Sequence, residues 1–271
     1  MSTFAKASFN ANAYRSFRPE YAPQFYTALL GYHHGARDVA LDVGAGTLQV
    51  GRALAEHFGA VKATDPSEAM VKSASSDLPR NTTVTVASAE SLPFDAGSAD
   101  MVVSGQAAHW FDLPKFYAEA HRVLKPNGTV AVWGYGFCNF PARPSATKMF
   151  LEFAVGDKAG QLGPYWEPGR KIVDDKYAGF EGVARAAGFS DVERSSYPNN
   201  KHALIERNFS VNKFQAYLKT WSAYKAYVDK HPDEADPVDA FIEQLAKEEG
   251  VTDRDEEWQV EWSGVAILGR K

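Results

Sequence analysis

The chain has 271 residues, of which 45% are hydrophobic and 23% charged, as in ordinary globular proteins. Its formal net charge of −5 leaves no basic surplus for gripping nucleic-acid phosphates, so small molecules are the expected partners. The single cysteine, Cys138, excludes an intrachain disulfide and a cysteine-rich metal site, and we find no metal-ligand spacing. The first residues lack the apolar core of a signal peptide, and no stretch approaches the ~18 apolar residues of a membrane helix. These features predict a cytosolic protein without a nucleic-acid or membrane partner.

The first 37 residues predict a helical cap. Pro19 and Glu20 start a segment in which apolar residues recur at helical spacing. These residues are Tyr21, Phe25, Tyr26, Leu29 and Leu30.

From Val39 onward, short apolar runs alternate with helical patterns, which is typical of a mostly parallel sheet covered by helices. Ser67 and Asp112 are positioned to cap two of these helices. The predicted strands cover residues 39–43, 60–64, 83–87, 99–104 and 128–134.

Beyond Tyr135 the alternation is interrupted twice, so we divide the chain into a cap (1–37), a core (38–135) and a remainder (136–271) that completes the sheet. Prolines and glycines predict loops around a short helix (145–155) in a first insertion at about 136–175. A helix (177–187) and a strand (192–197) follow, and the last strand covers 258–269. A second insertion, at about 199–250, carries an aromatic stripe that either packs in the core or forms a wall of a substrate pocket. Its members are Phe214, Tyr217, Trp221 and Tyr224.

The glycines of the core lie at a strand-to-helix turn. Gly44 and Gly46 follow the first strand, where glycine permits a close ligand approach and the next helix offers unpaired N–H groups. Asp65 follows the second strand, where a ribose-binding carboxylate is expected. A dinucleotide turn requires a third glycine, but Gln49 occupies that position. The pattern therefore favours a nucleotide-like ligand other than NAD.

The segment Leu41–Thr47 resembles motif I of the class I S-adenosylmethionine (SAM)-dependent methyltransferases. Later segments resemble further blocks of that family in the same order: 89–94, 98–102 and 123–129. Together with Tyr14, Arg18-Pro19 and His109–Asp112, the chain is most similar to the fungal branch that contains trans-aconitate 3-methyltransferase. Leu48 departs from the family, which often has a glycine there, and this residue is expected to narrow the room beside the cofactor.

The resemblance implies a Rossmann-like α/β fold with a mostly parallel seven-stranded sheet flanked by helices, and SAM as the cofactor. It places Asp42 near the methionine part of SAM, Asp65 at the ribose and Glu90 near the adenine. Tyr14 and Arg18 belong to a segment that closes over the cofactor, or they only anchor the cap helix. The full set of expected cofactor-binding residues is Tyr14, Arg18, Asp42, Gly44, Ala45, Gly46, Thr47, Asp65, Pro66, Met70, Ala89, Glu90, Gln106 and Ala107.

Methyl transfer requires alignment more than acid–base chemistry. A carboxylate acceptor is already ionised at neutral pH, whereas a phenol, alcohol or ammonium requires a base. His109 is the candidate catalytic base, and it is equally a candidate substrate ligand or a packing residue. The expected substrate-binding residues are His109, Trp110, Trp133 and Tyr135, and the candidate cations for an acidic substrate are Arg143, Arg170 and Lys171.

Several functions remain open at this point. We expect a SAM-dependent methyltransferase of a small molecule, with a carboxylate oxygen as the preferred acceptor. One alternative is O- or N-methylation of a secondary metabolite, and another is a SAM-binding regulatory protein without catalysis. A nicotinamide oxidoreductase is the last alternative, against which the glycine pattern argues.

Overall fold

The computed structural model describes residues 19–199 and 202–271, so Tyr14 and Arg18 lie outside the described residues. The centre of the fold is one twisted sheet. Its strands are β1 (Val39–Val43), β2 (Ala60–Asp65), β3 (Thr82–Val86), β4 (Ala99–Gly105), β5 (Leu124–Asn139), β6 (Ser190–Tyr197), β7 (Ile205–Ser210) and β8 (Glu257–Arg270). Seven of them follow the order β3-β2-β1-β4-β5-β8-β6, and β7 pairs with β8 beside this path.

The first five strands are parallel, and β8 runs antiparallel to β5, β6 and β7. The direction of the strand order reverses between β1 and β4, because the chain moves outward to β3 and then returns to β4. Ligands of open parallel sheets bind beyond the carboxyl ends of the strands at such a reversal. The topology therefore predicts a ligand site at the loops after β1 and β4.

Helices cover both faces of the sheet. They are α1 (Pro23–Tyr32), α2 (Gln49–Leu54), α3 (Glu68–Ala74), α4 (Leu113–Val123), α5 (Pro144–Val155), α6 (Gly169–Asp174), α7 (Phe180–Ala186), α8 (Val211–Leu218), α9 (Ser222–Lys230) and α10 (Pro237–Glu248). The two predicted N-caps are present: the Ser67 hydroxyl accepts from the Met70 N–H at 3.3 Å, and the Asp112 carboxylate accepts from the Lys115 N–H at 3.4 Å.

The alternation of side chains along β5 shows how the core is divided. Val130 and Val132 belong to the apolar cluster on the α4 and α7 side, whereas Ala131 and Trp133 belong to the cluster that contains α1 and the insertions. Both faces of this strand are buried, as expected for a strand inside a sheet that helices cover on both sides.

The predicted strands and the Rossmann-like fold with its mostly parallel sheet are confirmed, but the sheet has eight strands instead of the expected seven, because β7 is added. β5 extends to Asn139, beyond the predicted end at residue 134, because it pairs with β8 as far as Glu261. The helix predicted from residue 177 begins at Phe180, because Tyr177 has a left-handed φ of 56°. Of the aromatic stripe, Phe214 and Tyr217 lie on α8 and Tyr224 on α9, since Trp221 is extended and separates the two helices.

None of the helices in the described part of the chain has the length and apolar character needed to cross a lipid bilayer.

Candidate functional site

The turn after β1 is held open by backbone geometry. Gly44 and Gly46 have φ values of 71° and 54°, which side chains rarely tolerate. The N–H groups of Gly44 and Ala45 donate to the Thr64 carbonyl at 2.8 and 2.9 Å, which ties the turn to the end of β2. A Cβ atom added to Gly46 would meet no described atom within 4 Å, so the turn faces open space at this residue.

Leu48 completes this turn and starts α2. It has a φ of 74°, a conformation that favours glycine, yet its side chain is fully buried beside Ala45, Ala63 and Ala74. Because the side chain lies in this small apolar cluster, it does not narrow the ligand side of the turn, and that expectation is wrong.

Asp42 lies in β1 directly below the turn and is 1% exposed. Its Oδ2 accepts a hydrogen bond from the Gly51 N–H at 2.8 Å, whereas Oδ1 is buried without a hydrogen-bond partner among the described residues. Burial raises the pKa of Asp42 to about 7, the Gly51 hydrogen bond opposes this effect, and the charge of Asp65 adds to it. A buried acceptor oxygen of this kind is costly unless a donor reaches it, so it points to a ligand with a donor group.

Asp65 ends β2 on the other side of the turn. Its Oδ2 accepts from the Gly46 N–H at 2.9 Å, and its Oδ1 accepts from the Ser67 N–H at 2.9 Å. Burial raises the pKa of Asp65, and these two hydrogen bonds oppose the rise. Each carboxylate oxygen can accept a further hydrogen bond, so Asp65 can orient the glycine turn and receive hydroxyl groups at once.

Asp42 and the glycine turn line one opening, which we call the strand-end crevice, and Asp65 lies beside it at the end of β2. Its described lining residues are Pro19, Tyr21, Asp42, Gly44, Ala45, Gly46, Gln49, Val50, Gly105, Gln106 and Tyr135. Gln106 has a φ of 55° and is fixed by the Tyr135 backbone: its Oε1 accepts from the Tyr135 N–H at 2.7 Å, and its Nε2 donates to the Tyr135 carbonyl at 3.0 Å. The crevice therefore ends at a rigid side chain.

A second opening, which we call the aromatic cavity, adjoins the crevice and shares Gln106 and Tyr135 with it. It encloses an empty volume of about 610 Å³, including the part open to solvent. Its lining residues are Gln106, His109, Trp110, Tyr135, Gly136, Phe137, Trp166, Glu167, Arg170, Val173, Tyr217, Trp221 and Ser222.

Three rings from distant segments form one wall of the aromatic cavity. The ring centroids of Phe137, Trp166 and Trp221 are 5.1 to 5.7 Å apart. The Arg170 guanidinium carbon lies 3.6 Å from the centroid of the Phe137 ring, and its Nε and Nη2 donate to Asp174 at 2.8 and 2.6 Å. The stacking and the ion pair fix the position of this cation in the cavity.

His109 also lines the aromatic cavity, on a 3₁₀ turn (Ala108–Trp110) that follows β4. Its Nδ1 is 3.1 Å from the hydroxyl of Tyr177, which is fully buried. Burial raises the pKa of Tyr177, so the phenol stays neutral and holds the imidazole in place at ordinary pH. The Tyr177 hydroxyl therefore fixes the orientation of the His109 ring, which lines the cavity.

Comparisons with known proteins agree with this geometry. Residues 41–132 match the family model described as a methyltransferase domain. A "Putative methyltransferase" of Dictyostelium discoideum is 31% identical over 222 residues, which cover 80% of this chain and 77% of the relative. The chain belongs to the SAM-dependent methyltransferases.

Two further relatives extend over nearly the whole methyltransferase. The "Probable S-adenosylmethionine-dependent methyltransferase" of Saccharomyces cerevisiae is 26% identical, and the alignment covers 99% of this chain and 98% of the relative. The solved structure of a "Putative Type II Methyltransferase" from Anaeromyxobacter dehalogenans has a TM-score of 0.71 at 30% identity, with 94% of this chain and 98% of that one covered. The cofactor is therefore SAM, and this chain shares its fold with the solved relative over 94% of its length.

The strand-end crevice fits this cofactor. The unpartnered Oδ1 of Asp42 suits the ammonium group of the methionine part, and the open side of Gly46 leaves room beside the turn. Asp65 offers acceptors for ribose hydroxyls at the other end of the turn. Since the sulfonium methyl lies between these two parts of SAM, the shared Gln106 edge is where a methyl group and an acceptor would meet.

The other residues predicted to bind the cofactor have varied positions. Thr47 and Met70 are buried, Ala89 belongs to the core cluster under α4, and Pro66 is exposed. Ala107 packs against the turn, because a Cβ added to Gly44 would lie 2.6 Å from the Ala107 Cβ. The Glu90 carboxylate accepts from the Asp112 N–H at 2.9 Å and bonds the Ser88 hydroxyl, so it organises the loop before α4. Its role at the adenine stays a prediction.

One expectation about the acceptor side is corrected. Trp133 is fully buried against Tyr21 and Phe25, with ring centroids 5.5 and 5.0 Å away, so it packs the core where we expected a pocket wall. Tyr135, two residues further on the same face of β5, does line the cavity.

Of the three candidate cations, only Arg170 lines the aromatic cavity. Arg143 pairs with Glu249 and stacks on Trp258, and Lys171 is an exposed partner of Asp175.

The sequence did not single out several residues of the site, among them Phe137, Trp166, Glu167 and the Tyr177 support of His109. Phe137 lies on the unpredicted extension of β5, where alternation from Tyr135 would have placed it on the same face. Trp166 and Glu167 lie in a proline-rich segment without periodicity, which carries no signal for side-chain direction.

Proposed function

We propose that the methyltransferase transfers the methyl group of SAM to a carboxylate oxygen of a small molecule held in the aromatic cavity. The observation that carries this proposal is Arg170. Its side chain is 14% exposed, and its Nη1 has no hydrogen-bond partner among the described residues. A fixed guanidinium with unused donors is the group that best receives a carboxylate.

The division of work follows from the two openings. When bound, SAM supplies an electrophilic methyl group. Asp42 and Asp65 hold the two ends of the cofactor, and Gln106 holds the boundary with the aromatic cavity. In an acid with more than one carboxylate, Arg170 anchors one group while another lies at the Gln106 edge. This second carboxylate is ionised at neutral pH, so no base is required. The aromatic wall excludes water from the acceptor carboxylate and the methyl group.

A second function is favoured by a different pair of residues. His109 and Glu167 also line the aromatic cavity, and aromatic rings attract cations. An amine would be bound by Glu167 and the rings and deprotonated by His109, which makes N- or O-methylation of a secondary metabolite the alternative. In either case we expect a cytosolic enzyme.

The test is calorimetry with SAM, and with NADH as a control, followed by an acceptor panel of tricarboxylic acids, amines and phenols. We expect SAM binding, no NADH binding, and methyl esters formed from acids. Arg170→Gln should raise KM for the acid about 10- to 100-fold, as for the loss of charged hydrogen bonds, without changing SAM affinity. Arg143→Gln is the matched control, because Arg143 also stacks on a ring and pairs with a carboxylate but does not line the cavity.

The panel also gives the outcomes that would contradict the proposal. Turnover of amines or phenols without turnover of acids would establish the alternative. SAM binding without turnover of any class would support the regulatory function. An Arg170→Gln enzyme with unchanged KM for the acid would remove Arg170 from acceptor binding.

A further inference from the structure

A chain of four polar side chains lies beside the aromatic cavity but does not line it. The Tyr165 hydroxyl is 2.7 Å from His231 Nε2, and His231 Nδ1 is 2.8 Å from Glu234 Oε1. The Tyr227 hydroxyl donates to the other Glu234 oxygen at 2.8 Å. Both ring nitrogens and both carboxylate oxygens are therefore occupied. We call these four residues the cap network.

The cap network joins the two insertions that supply the cavity walls. Tyr165 ends the 3₁₀ turn Gly163–Tyr165 in the first insertion, and Trp166 and Glu167 of the cavity follow it directly. Tyr227 lies on α9, whose first residue, Ser222, also lines the cavity. A displacement of the Tyr165 turn would therefore loosen the contact between the Trp166 and Trp221 rings.

The network is packed on one side and accessible on the other. The Tyr227 side chain is buried, its ring stacks on His231 at 4.6 Å, and it contacts the Tyr165 ring edge-on at 4.9 Å. The side chains of His231 and Glu234 are 25% and 55% exposed. Hydrogen bonds near solvent can be replaced by hydrogen bonds to water at a low cost in free energy. The hydrogen bonds of the cap network therefore hold the Tyr165 turn but can also open.

The inner side of the same wall has separate anchors. Trp166 Nε1 donates to the Ala154 carbonyl at 2.7 Å, and the Arg170 guanidinium carbon lies 5.0 Å from the Trp166 ring centroid. Loss of the cap network therefore leaves Trp166 attached to α5, and the wall becomes looser without unfolding.

We propose that the cap network is a positioning device that holds the Trp166–Glu167 wall of the aromatic cavity against α9 and so sets the affinity for the acceptor. Tyr165, His231, Glu234 and Tyr227 touch neither the crevice nor the cavity, and they act through the residues that follow Tyr165. This inference goes beyond the proposed function, because it holds for an acidic and for a basic acceptor alike.

The first test is hydrogen exchange on the SAM-loaded methyltransferase, which requires no knowledge of the acceptor. Tyr165→Phe removes one hydroxyl and keeps the ring contacts. We expect amide exchange in residues 163–170 to become at least about threefold faster, as for a local opening that loses one of its few hydrogen bonds, with α3 and α10 unchanged. Unchanged exchange in 163–170 would overturn the proposal.

The matched control is Tyr224→Phe. The Tyr224 hydroxyl also lies on α9 and donates to a carboxylate, Asp236, at 2.7 Å, but its partner caps α10 and makes no contact with the Tyr165 turn. We expect exchange in residues 163–170 to match that of the wild type. Equal acceleration in both variants would show a general loosening of the cap and would also overturn the proposal.

The second test separates positioning from a merely structural role. With the acceptor that the panel identifies, Tyr165→Phe should raise KM about two- to tenfold, as for one neutral hydrogen bond, and should leave kcat and the SAM affinity unchanged. A fall in kcat at constant KM would contradict the assignment. Failure of the acceptor panel leaves the exchange result to decide, so the two proposals can fail separately.

Discussion

The strand-end crevice and the aromatic cavity share Gln106 and Tyr135 but are built in different ways. The crevice consists of backbone groups and the Asp42 carboxylate, with Asp65 beside it at the end of the neighbouring strand, and its hydrogen bonds join residues within one βαβ unit. The cavity consists of side chains from β5, two insertions and a 3₁₀ turn. The sheet thus determines the shape of the strand-end crevice, whereas packing between segments far apart in the chain determines the shape of the aromatic cavity.

The largest expected effect is on the pH dependence of stability and tests the buried carboxylate of the crevice, Asp42. The pKa of Asp42 is about 7 in the folded protein, whereas the unfolded carboxyl ionises near pH 4. Between these values unfolding releases a proton, so the stability of the ligand-free protein falls as pH rises from about 4 to about 7 and levels off above that. Asp42→Asn, which does not ionise, should remove up to about 4 kcal/mol of this decline.

The measurement is urea unfolding of both proteins at several pH values. The slope that Asp65 contributes is common to both and cancels in the difference. If the free energies of unfolding of the two proteins ran parallel with pH, Asp42 would ionise with an ordinary pKa in the folded protein. The Asp42 carboxylate would then be better hydrated than its burial indicates.

The next largest expected effect is on the affinity for SAM. Asp65→Ala removes the acceptors that we propose for the ribose hydroxyls, together with the acceptor of the Gly46 N–H. We expect SAM affinity to fall by ~1.5–3 kcal/mol in calorimetry, as for hydrogen bonds to a charged group. Ser67→Ala is the control, since it removes the α3 cap behind the turn and should cost stability without changing SAM affinity. Unchanged affinity in a folded Asp65→Ala protein would place the ribose elsewhere.

The smallest effect concerns His109. If the acceptor is a carboxylate, His109→Ala should lower kcat/KM by less than about tenfold, because the imidazole contributes contacts and no proton transfer. SAM affinity should not change, since His109 lines the cavity and not the crevice. A loss of about 100-fold or more, greater for amines than for acids, would identify a general base and favour the alternative function.

The same contrast explains what the sequence could predict. The strands from Val39 to Trp133 are apolar runs bounded by glycine, proline or polar residues, and the crevice lies at their ends, so the pattern sufficed. β7 was missed because Ile205–Ser210 contains charged and polar residues and forms only by pairing with Glu257–Trp262. Trp133 and Tyr135 share one face of β5, but Phe25 of α1 packs against Trp133, which is fully buried, whereas Tyr135 reaches the cavity.

Leu48 shows the opposite case, in which a local rule fails. A left-handed φ predicts glycine, but burial among Ala45, Ala63 and Ala74 holds a leucine in that conformation. The direction of its side chain follows from this cluster, and no spacing in the sequence encodes it.

The position of β8 has a consequence for the synthesis of the protein. Three strands made earlier, β5, β6 and β7, all pair with β8, which lies between β5 and β6 in the sheet. A nascent chain can form the parallel half around β1 first, but β5 keeps an unpaired edge until residues 257–270 have left the ribosome. Unpaired strand edges are sites of aggregation. The methyltransferase therefore exposes this strand edge until β8 has been made, and a chaperone bound during that interval would protect it from aggregation.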